Sequence, residues 1–339
     1  PSGDAWELRP LGLMLHPIGL SRSDVEAIAA LVDVPQPRSA GSLAPGGSER
    51  FAGAATDRAD ADLTLPPAAD TAGAVARDPD AAVPAASFPE WSLLVRLLGP
   101  VDVVSRNGDR VDFERSKTRE LVAWLATHRE RSTRSGARTA LWVQDVRDAT
   151  FANVVSEARR ALARLVEPPE GEEWVGRTMT DALPLHRRVI TDADLLAAAL
   201  DAARVQPPSR AVAILTPAVA WISGMPFEGT TYLWPDAEGL TSQLVLLATS
   251  AATELAAHCL ALGDIDGVFE ATGCGLRVLP GHEDLIGLRM RAHARFGDHA
   301  GVRHEWESYE RVINADPWSD GEPSPKLVEL RRELLEPTG

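Results

Sequence analysis

The sequence predicts an α+β winged helix-turn-helix unit followed by an all-α, tetratricopeptide-like helical array. Two observations predict this order. Between residues 91 and 190, β-rich segments precede three helical segments and a final pair of extended segments, which is the plan of a winged helix-turn-helix. From Thr191 onward the pattern is helical, and one segment repeats at an offset of 34 residues.

The extended segments are marked by their apolar residues and by turn signals. The first, "WSLLVRLLGPVDVV", is rich in Leu and Val and is interrupted at Gly99-Pro100. The next, "SRNGDRVDF", contains Asn107-Gly108, a two-residue hairpin signal, between alternating Val and Phe. Further along, "EEWVGRT" and "LPLHRRVI" are expected to pair as a hairpin around residues 179–182.

Three helices are expected between these segments, over residues 116–131, 133–142 and 149–166. The third, "ATFANVVSEARRALARLV", has one narrow apolar face when it is placed at 100° per residue. The residues of that face are Phe151, Val154, Val155, Ala158, Leu162 and Leu165. The residues expected on the opposite, outer face are Asn153, Ser156, Glu157, Arg160 and Arg164. An apolar stripe backed by Asn, Ser and Arg is typical of a helix that reads DNA.

Charge is distributed unevenly along the chain. The formal net charge is −15, yet residues 115–164 carry +6, whereas residues 1–87 carry −6 and residues 191–339 carry −11. The positive charge that favours nucleic acid is therefore concentrated around the third helix.

Four segments are expected in the 339-residue chain. Residues 1–33 are expected to be the remnant of an upstream domain, because the sequence begins with Pro and this segment is too small to fold alone. Residues 34–87, rich in Ala, Pro, Gly, Ser and Asp, read as a flexible linker. The winged-helix domain follows over 88–190, and the helical array over 191–335. The apolar stretch 243–262 reads as a buried helix because it contains Glu254 and His258.

The repeat joins "LALGDIDGVFEATGCGLRVL" to "ARFGDHAGVRHEWESYERVI". Across the offset, identical residues stand at 263/297, 264/298, 267/301, 268/302, 277/311 and 278/312. A 34-residue period is the tetratricopeptide spacing, in which small residues let paired helices approach closely. Such arrays offer a concave face to another protein.

Signals of catalysis are weak in this sequence. It contains no phosphate-binding loop with Gly-Lys-Ser or Gly-Lys-Thr, and no H-E-x-x-H, C-x-x-C or G-x-S-x-G motif. His293, His299, His304 and Glu305 cluster in the second repeat, where a solvated helix face is the simpler interpretation than a metal site. Cys259 and Cys274 read as small buried residues. We therefore expect no enzyme, no metal and no cofactor.

Taken together, these segments resemble a known family of regulators. The "LLGPVDV" strand, the "SKTRELVAWLA" helix, the "ALW" ending and the "VSEARRAL" helix are similar to the OmpR-type winged helix of actinobacterial SARP-type regulators. Residues 191–335 look like the bacterial transcriptional activator domain that follows it in that family. More narrowly, "WISGMPFEGTTYLWPDAEGL" resembles the version found at the C-terminus of long LysM-containing, membrane-anchored actinobacterial proteins.

The resemblance implies a set of DNA contacts. The outer-face residues Asn153, Ser156, Glu157, Arg160 and Arg164 would enter the major groove. The residues expected on phosphates are Lys117, Arg138, Arg159, Arg177, Arg187 and Arg188. This sequence departs from the family pattern at one position. Where relatives commonly have "VSRLRRAL", this chain has "VSEARRAL", so that Glu157 stands in place of an arginine. A carboxylate on the outer face would accept from cytosine N4 but repel phosphate.

Two functions follow as hypotheses. The first is a DNA-binding transcriptional regulator whose helical array binds a protein partner, for which the family suggests RNA polymerase or a second copy of the chain. The second is a membrane-associated signalling scaffold whose winged helix and repeats bind proteins rather than DNA. In either case a cytoplasmic location is expected, as a free protein or as the cytoplasmic part of a longer membrane-anchored protein.

Overall fold

A computed structural model describes residues 6–8, 13–15, 90–317 and 321–336 of the chain. It divides into two compact units, Pro1–Val75 and Ala76–Gly339. In the first unit, β1 (Trp6–Leu8) pairs antiparallel with β2 (Leu13–Leu15). The expected upstream remnant otherwise lies outside the described residues, as does the whole of the expected linker, residues 34–87.

The first part of the second unit contains three strands and three helices. Its strands are β3 (Leu93–Arg96), β4 (Asp102–Ser105) and β5 (Val189–Thr191). Its helices are α1 (Ser116–Thr127), α2 (Arg134–Leu141) and α3 (Asp148–Leu165). The sheet order is β4-β3-β5, with β3 antiparallel to β4 and parallel to β5. The order of elements is the one that the sequence predicts.

The two expected hairpins are both present. Asn107-Gly108 closes the first, where Gly108 has a φ of 86° and Val104 pairs with Arg110. Glycine suits this turn because a side chain disfavours positive φ. In the second hairpin, Val175 pairs with Leu185, and the Gly176 N–H donates to the Pro184 carbonyl over 2.9 Å.

Helix α1 ends earlier than the sequence predicts. The pattern predicts a helix to residue 131, but α1 ends at Thr127 and a 3-10 turn covers Arg129–Arg131. The Thr127 hydroxyl donates to the carbonyls of Ala123 and Trp124, and the His128 ring stacks on the Trp124 ring with centroids 4.3 Å apart. Local hydrogen bonds of a threonine side chain compete with continuation of the helix.

The second part is helical throughout. After β5 the helices are α4 (Asp192–Ala203), α5 (Pro208–Val219), α6 (Trp234–Ala237), α7 (Leu240–Leu262), α8 (Ile265–Val278), α9 (Glu283–Arg295), α10 (His299–Ala315) and α11 (Pro325–Leu335). Among the described residues, α7 is the one helix long and apolar enough to span a membrane. It packs against α5, α8 and α9, and its buried residues, among them Leu244, Leu255 and Cys259, belong to the core of the array.

The predicted repeat has equivalent local geometry in both copies. Gly263 and Gly297 end α7 and α9 with φ values of 77° and 69°. The next residues, Asp264 and Asp298, cap α8 and α10, and each carboxylate accepts from the backbone N–H three residues on. Val268 and Val302 are both fully buried. The shared glycine, aspartate and valine therefore mark the same turn, cap and core position.

One apolar core runs through both parts of the second unit, from Leu93 in β3 to Ala292 in α9. Asp192 ties the parts together at the start of α4. Its carboxylate is fully buried and accepts from the backbone N–H groups of Leu97, Leu98 and Ala193 at 2.9–3.1 Å. The helical array is thus joined to the end of β3 by a buried polar contact as well as by apolar packing.

Candidate nucleic-acid interface

Helix α3 has one buried face and one exposed face, as the periodicity predicts. Phe151, Val154, Val155, Ala158 and Leu162 are at most 4% exposed and pack into the core. On the opposite side, Asn153, Ser156, Arg160 and Arg164 are exposed. Within the described part of the chain, neither Arg160 nor Arg164 has a carboxylate partner, so both guanidinium groups are available to a ligand.

Glu157 is not on this surface, and the expectation of an outer-face carboxylate is wrong. Its side chain is fully buried, and it accepts from the Arg115 backbone N–H at 3.1 Å and from Arg115 Nη1 at 3.3 Å. On the helix, Glu157 lies one turn from the buried Val154 on one side and from the buried Ala161 on the other. The carboxylate anchors the segment before α1 and is not placed to touch DNA.

Arg159 joins α3 to the second hairpin. It is half-buried, and its guanidinium donates to the carbonyls of Val175 at 2.7 Å and Gly176 at 2.9 Å. Glu173 lies 3.6 Å from its Nε. These contacts fix the position of the hairpin beside the exposed face of α3. The guanidinium is engaged by these contacts, and the phosphate contact expected of Arg159 stays a prediction.

Lys117 and Arg138 also hold the helices together. The Lys117 ammonium donates to Glu120 and to the Leu141 carbonyl at the end of α2. Arg138 donates to the Val146 carbonyl and to Asp148, the first residue of α3. Both side chains are half-buried, so they fix the angle between α1, α2 and α3. The phosphate contacts expected of both residues stay predictions.

The hairpin arginines differ in how free they are. Arg177 is exposed and pairs with Glu173 at 3.0 Å. Arg188 pairs with Glu90 at 3.1 Å. Arg187 is exposed and has no ion pair among residues 90–317 and 321–336. Arg187 is thus the hairpin residue most available to a phosphate.

Sequence reasoning missed two basic residues at this surface. Arg147 is exposed immediately before α3. It could have been predicted from the sequence, because it directly precedes the helix that is expected to read DNA. The Arg115 side chain, 53% exposed, lies against Glu157. No sequence signal indicates that pair, because its members are 42 residues apart.

Two members of the His293–Glu305 cluster, His293 and Glu305, belong to an ion-pair network, whereas His299 and His304 are exposed. Arg289 makes two hydrogen bonds to Glu305, at 2.7 and 2.8 Å, and His293 Nδ1 lies 2.8 Å from Asp298. In the part of the chain that the structure describes, no three His, Cys, Asp or Glu side chains are arranged to hold a metal ion.

Comparison with known proteins places the helical part in a described family. Residues 191–335 match the bacterial transcriptional activator domain. The chain also resembles a solved structure of Mycobacterium tuberculosis EmbR in complex with a low-affinity phosphopeptide, with a TM-score of 0.53 and 21% identity. The likeness covers 73% of this chain and 65% of that one. The sequence matches no curated protein.

At this identity the structural likeness shows the fold, and the family match covers the helical array. The two findings agree with the arrangement seen here, in which a small sheet and three helices precede the array. They support the resemblance drawn from the sequence to this extent: residues 191–335 match the bacterial transcriptional activator domain, and the chain is similar in fold to EmbR.

Proposed function

We propose that this chain is a DNA-binding transcriptional regulator in which residues 88–190 act as a winged helix-turn-helix. Helix α3 is then the recognition helix and 174–186 the wing. The observation that carries the proposal is the outer face of α3. It presents Asn153, Ser156, Arg160 and Arg164 opposite a face that is buried in the core.

The chemistry of this face suits the major groove. Arginine donates in pairs to the O6 and N7 of guanine, and asparagine pairs with the N6 and N7 of adenine. The exposed Arg147, at the N-terminus of α3, and the exposed Arg187, in the second hairpin segment, supply basic groups for phosphate contacts. The burial of Glu157 supports the proposal further, because the one carboxylate expected to repel phosphate on this face lies inside the protein.

The helical array is proposed to bind a protein partner. Residues 191–339 carry a net charge of −11, which repels nucleic acid and favours a basic protein surface. RNA polymerase and a second copy of this chain are the partners that the family suggests. A regulator of this kind is a non-enzymatic protein that works in the cytoplasm, where the DNA is.

The competing proposal is a signalling scaffold that has kept the winged-helix shape and binds only proteins. The negative charge of the helical array favours this proposal. The resemblance to LysM-containing proteins also favours it and stays a prediction, which LysM repeats in the sequence upstream of residue 1 would support. The two proposals differ in one property. A regulator binds DNA through Arg160 and Arg164, whereas a scaffold shows no salt-dependent DNA binding.

The experiment is an anisotropy titration of the full chain against fragments of its own genome at low salt. Arg160→Ala and Arg164→Ala should each weaken binding, by about 1–3 kcal/mol where a base is contacted. Arg204→Ala is the matched control, because Arg204 is an exposed arginine at the end of α4 that belongs to the array. Melting should not change in any variant. Absence of DNA binding by the unmodified chain, or equal loss with Arg204→Ala, rejects the regulator.

A further inference from the structure

A polar cavity of about 470 Å³ lies where the sheet meets the helical array. Its walls come from the end of β3, the first hairpin, α1 and the segment between α5 and α6. The charged and hydroxyl groups that line it are Arg96, Asp102, Arg110, Arg119, Ser223 and Glu228. No residue of α3 or of the wing lines it, so this site is separate from the proposed DNA surface.

The charged side chains that line the cavity carry a net positive charge. Asp102 is paired with Arg110 at 3.4 Å and also accepts from the Val103 N–H. The remaining charged groups are Arg96, Arg119 and Glu228, two cations and one anion. In the described residues none of these three has an ion pair within 4 Å. An anion entering the cavity therefore meets two guanidinium groups and one carboxylate, an excess of one positive charge.

These guanidinium groups also lack hydrogen-bond acceptors. The Nε atoms of Arg96 and Arg119 are shielded from solvent, and among the residues described here they have no hydrogen-bond partner. Arg96 instead lies over the Trp221 ring, 5.9 Å from its centroid. A buried donor without an acceptor is costly, and a small shift of either side chain would turn its N–H edge to a ligand oxygen. A ligand that brings several acceptor oxygens would remove this cost.

The backbone around the cavity is held in an unusual conformation. Phe227, just before Glu228, has a φ of 60°, a value that a bulky residue rarely adopts. The Glu228 N–H donates to the Gly99 carbonyl at 3.2 Å, and Gly99 itself has a φ of 146°. A Cβ at Gly99 would overlap Ser223, and one at Gly224 would overlap Glu228. The segments around Gly99 and Gly224 therefore pack closely to form this wall of the cavity. Backbone strain such as that of Phe227 is common at ligand-binding sites.

We propose that this cavity binds the phosphate group of a small phosphorylated molecule, with Arg96 and Arg119 as its ligands. Guanidinium groups bind phosphate through paired N–H···O hydrogen bonds, and a dianion with several free oxygens can satisfy two of them at once. The cavity is larger than a phosphate ion, which leaves room for the organic part of the ligand. Glu228 then limits affinity, since it is the one unpaired carboxylate in the described wall.

The test uses the full chain and inorganic phosphate alone as the probe, titrated by calorimetry at constant ionic strength with chloride as the reference anion. Arg119→Gln should weaken phosphate binding at least about tenfold, the loss expected for one paired charge-assisted contact. Glu228→Gln should tighten binding several-fold, because it removes the opposing charge without removing volume. This gain does not depend on how well the arginine variant folds.

Arg204→Gln, an exposed arginine away from the cavity, should leave phosphate binding unchanged, and Arg119→Gln should leave DNA binding unchanged. The proposal is overturned if phosphate gives no heat in the millimolar range, if Arg119→Gln and Arg204→Gln lose binding equally, or if Glu228→Gln binds more weakly. A loss of DNA affinity in Arg119→Gln without a loss of phosphate binding would also overturn it, because the arginine would then contact nucleic acid.

Discussion

Replacement of Glu157 should lower the free energy of unfolding and should not strengthen DNA binding. The carboxylate is fully buried and accepts from the backbone N–H of Arg115 at 3.1 Å and from its Nη1 at 3.3 Å. Glu157→Ala leaves that N–H without an acceptor, which costs about 1–3 kcal/mol. The ion pair adds less than about 1 kcal/mol, since half of the Arg115 side chain is exposed to solvent.

Together with the small cavity left behind, the free energy of unfolding should fall by about 2–4 kcal/mol in Glu157→Ala. Glu157→Gln keeps one acceptor oxygen for the Arg115 N–H and should lose only about 1 kcal/mol. Urea denaturation followed by tryptophan fluorescence measures both values. Ser156→Ala, the exposed neighbour on the same helix, is the control and should change stability by less than about 0.5 kcal/mol.

Glu157→Arg separates the buried position from an exposed one most clearly. On the surface, the new guanidinium would raise nonspecific DNA affinity and steepen its salt dependence. In the buried position it faces Arg115 and should destabilise more than Glu157→Ala does. A folded Glu157→Arg variant with tighter DNA binding, or a Glu157→Ala variant as stable as Ser156→Ala, would refute the buried ion pair.

Two further predictions concern the core. Burial raises the pKa of Asp192 to about 7, so the folded chain keeps a proton that the unfolded chain loses near pH 4. The stabilisation from this retained proton is complete below about pH 4 and is lost as the pH rises through about 7. Relative to Asp192→Asn, the free energy of unfolding of the unmodified chain should therefore fall between about pH 4 and 7. A rise over this pH range would contradict the raised pKa of Asp192. In the repeat, Gly301→Ala should cost about 1–3 kcal/mol because its Cβ would overlap the His293 ring. Gly273→Ala should stabilise by about 0.5–1 kcal/mol, because beyond its own helix backbone its Cβ would meet no atom within 4 Å. Equal melting temperatures for the two variants would refute the close packing of α9 on α10.

The elements that the sequence predicts well are those with local signals. Asn107-Gly108 predicts a hairpin because only a few residue types accept the backbone of a tight turn. The three helices are predicted within a few residues because an apolar stripe at helical spacing has to be buried. The repeat is predicted because Gly263-Asp264 and Gly297-Asp298 combine a left-handed turn with a helix cap, and both functions depend on residue type alone.

The candidate site is less predictable, because side-chain partners come from distant parts of the chain. Glu157 lies at the edge of the apolar stripe, and its burial depends on an arginine 42 residues away that no helical wheel contains. Arg159 is polar by sequence, but the carbonyls of the hairpin occupy its guanidinium. Asp192 looks like an ordinary first-turn aspartate, and only the packing of β3 against α4 shows that it is sealed in the core.

The salt dependence of DNA binding tests the central claim, that the outer face of α3 contacts DNA, most directly. For the unmodified chain, the logarithm of the association constant should fall linearly with the logarithm of salt concentration. The double variant Arg160→Gln/Arg164→Gln should bind less tightly, whereas Arg147→Gln/Arg187→Gln should make the slope shallower by about one for each phosphate group that the variant no longer neutralises. An unchanged affinity in a folded Arg160→Gln/Arg164→Gln variant, or no salt-dependent binding by the unmodified chain, would contradict the claim.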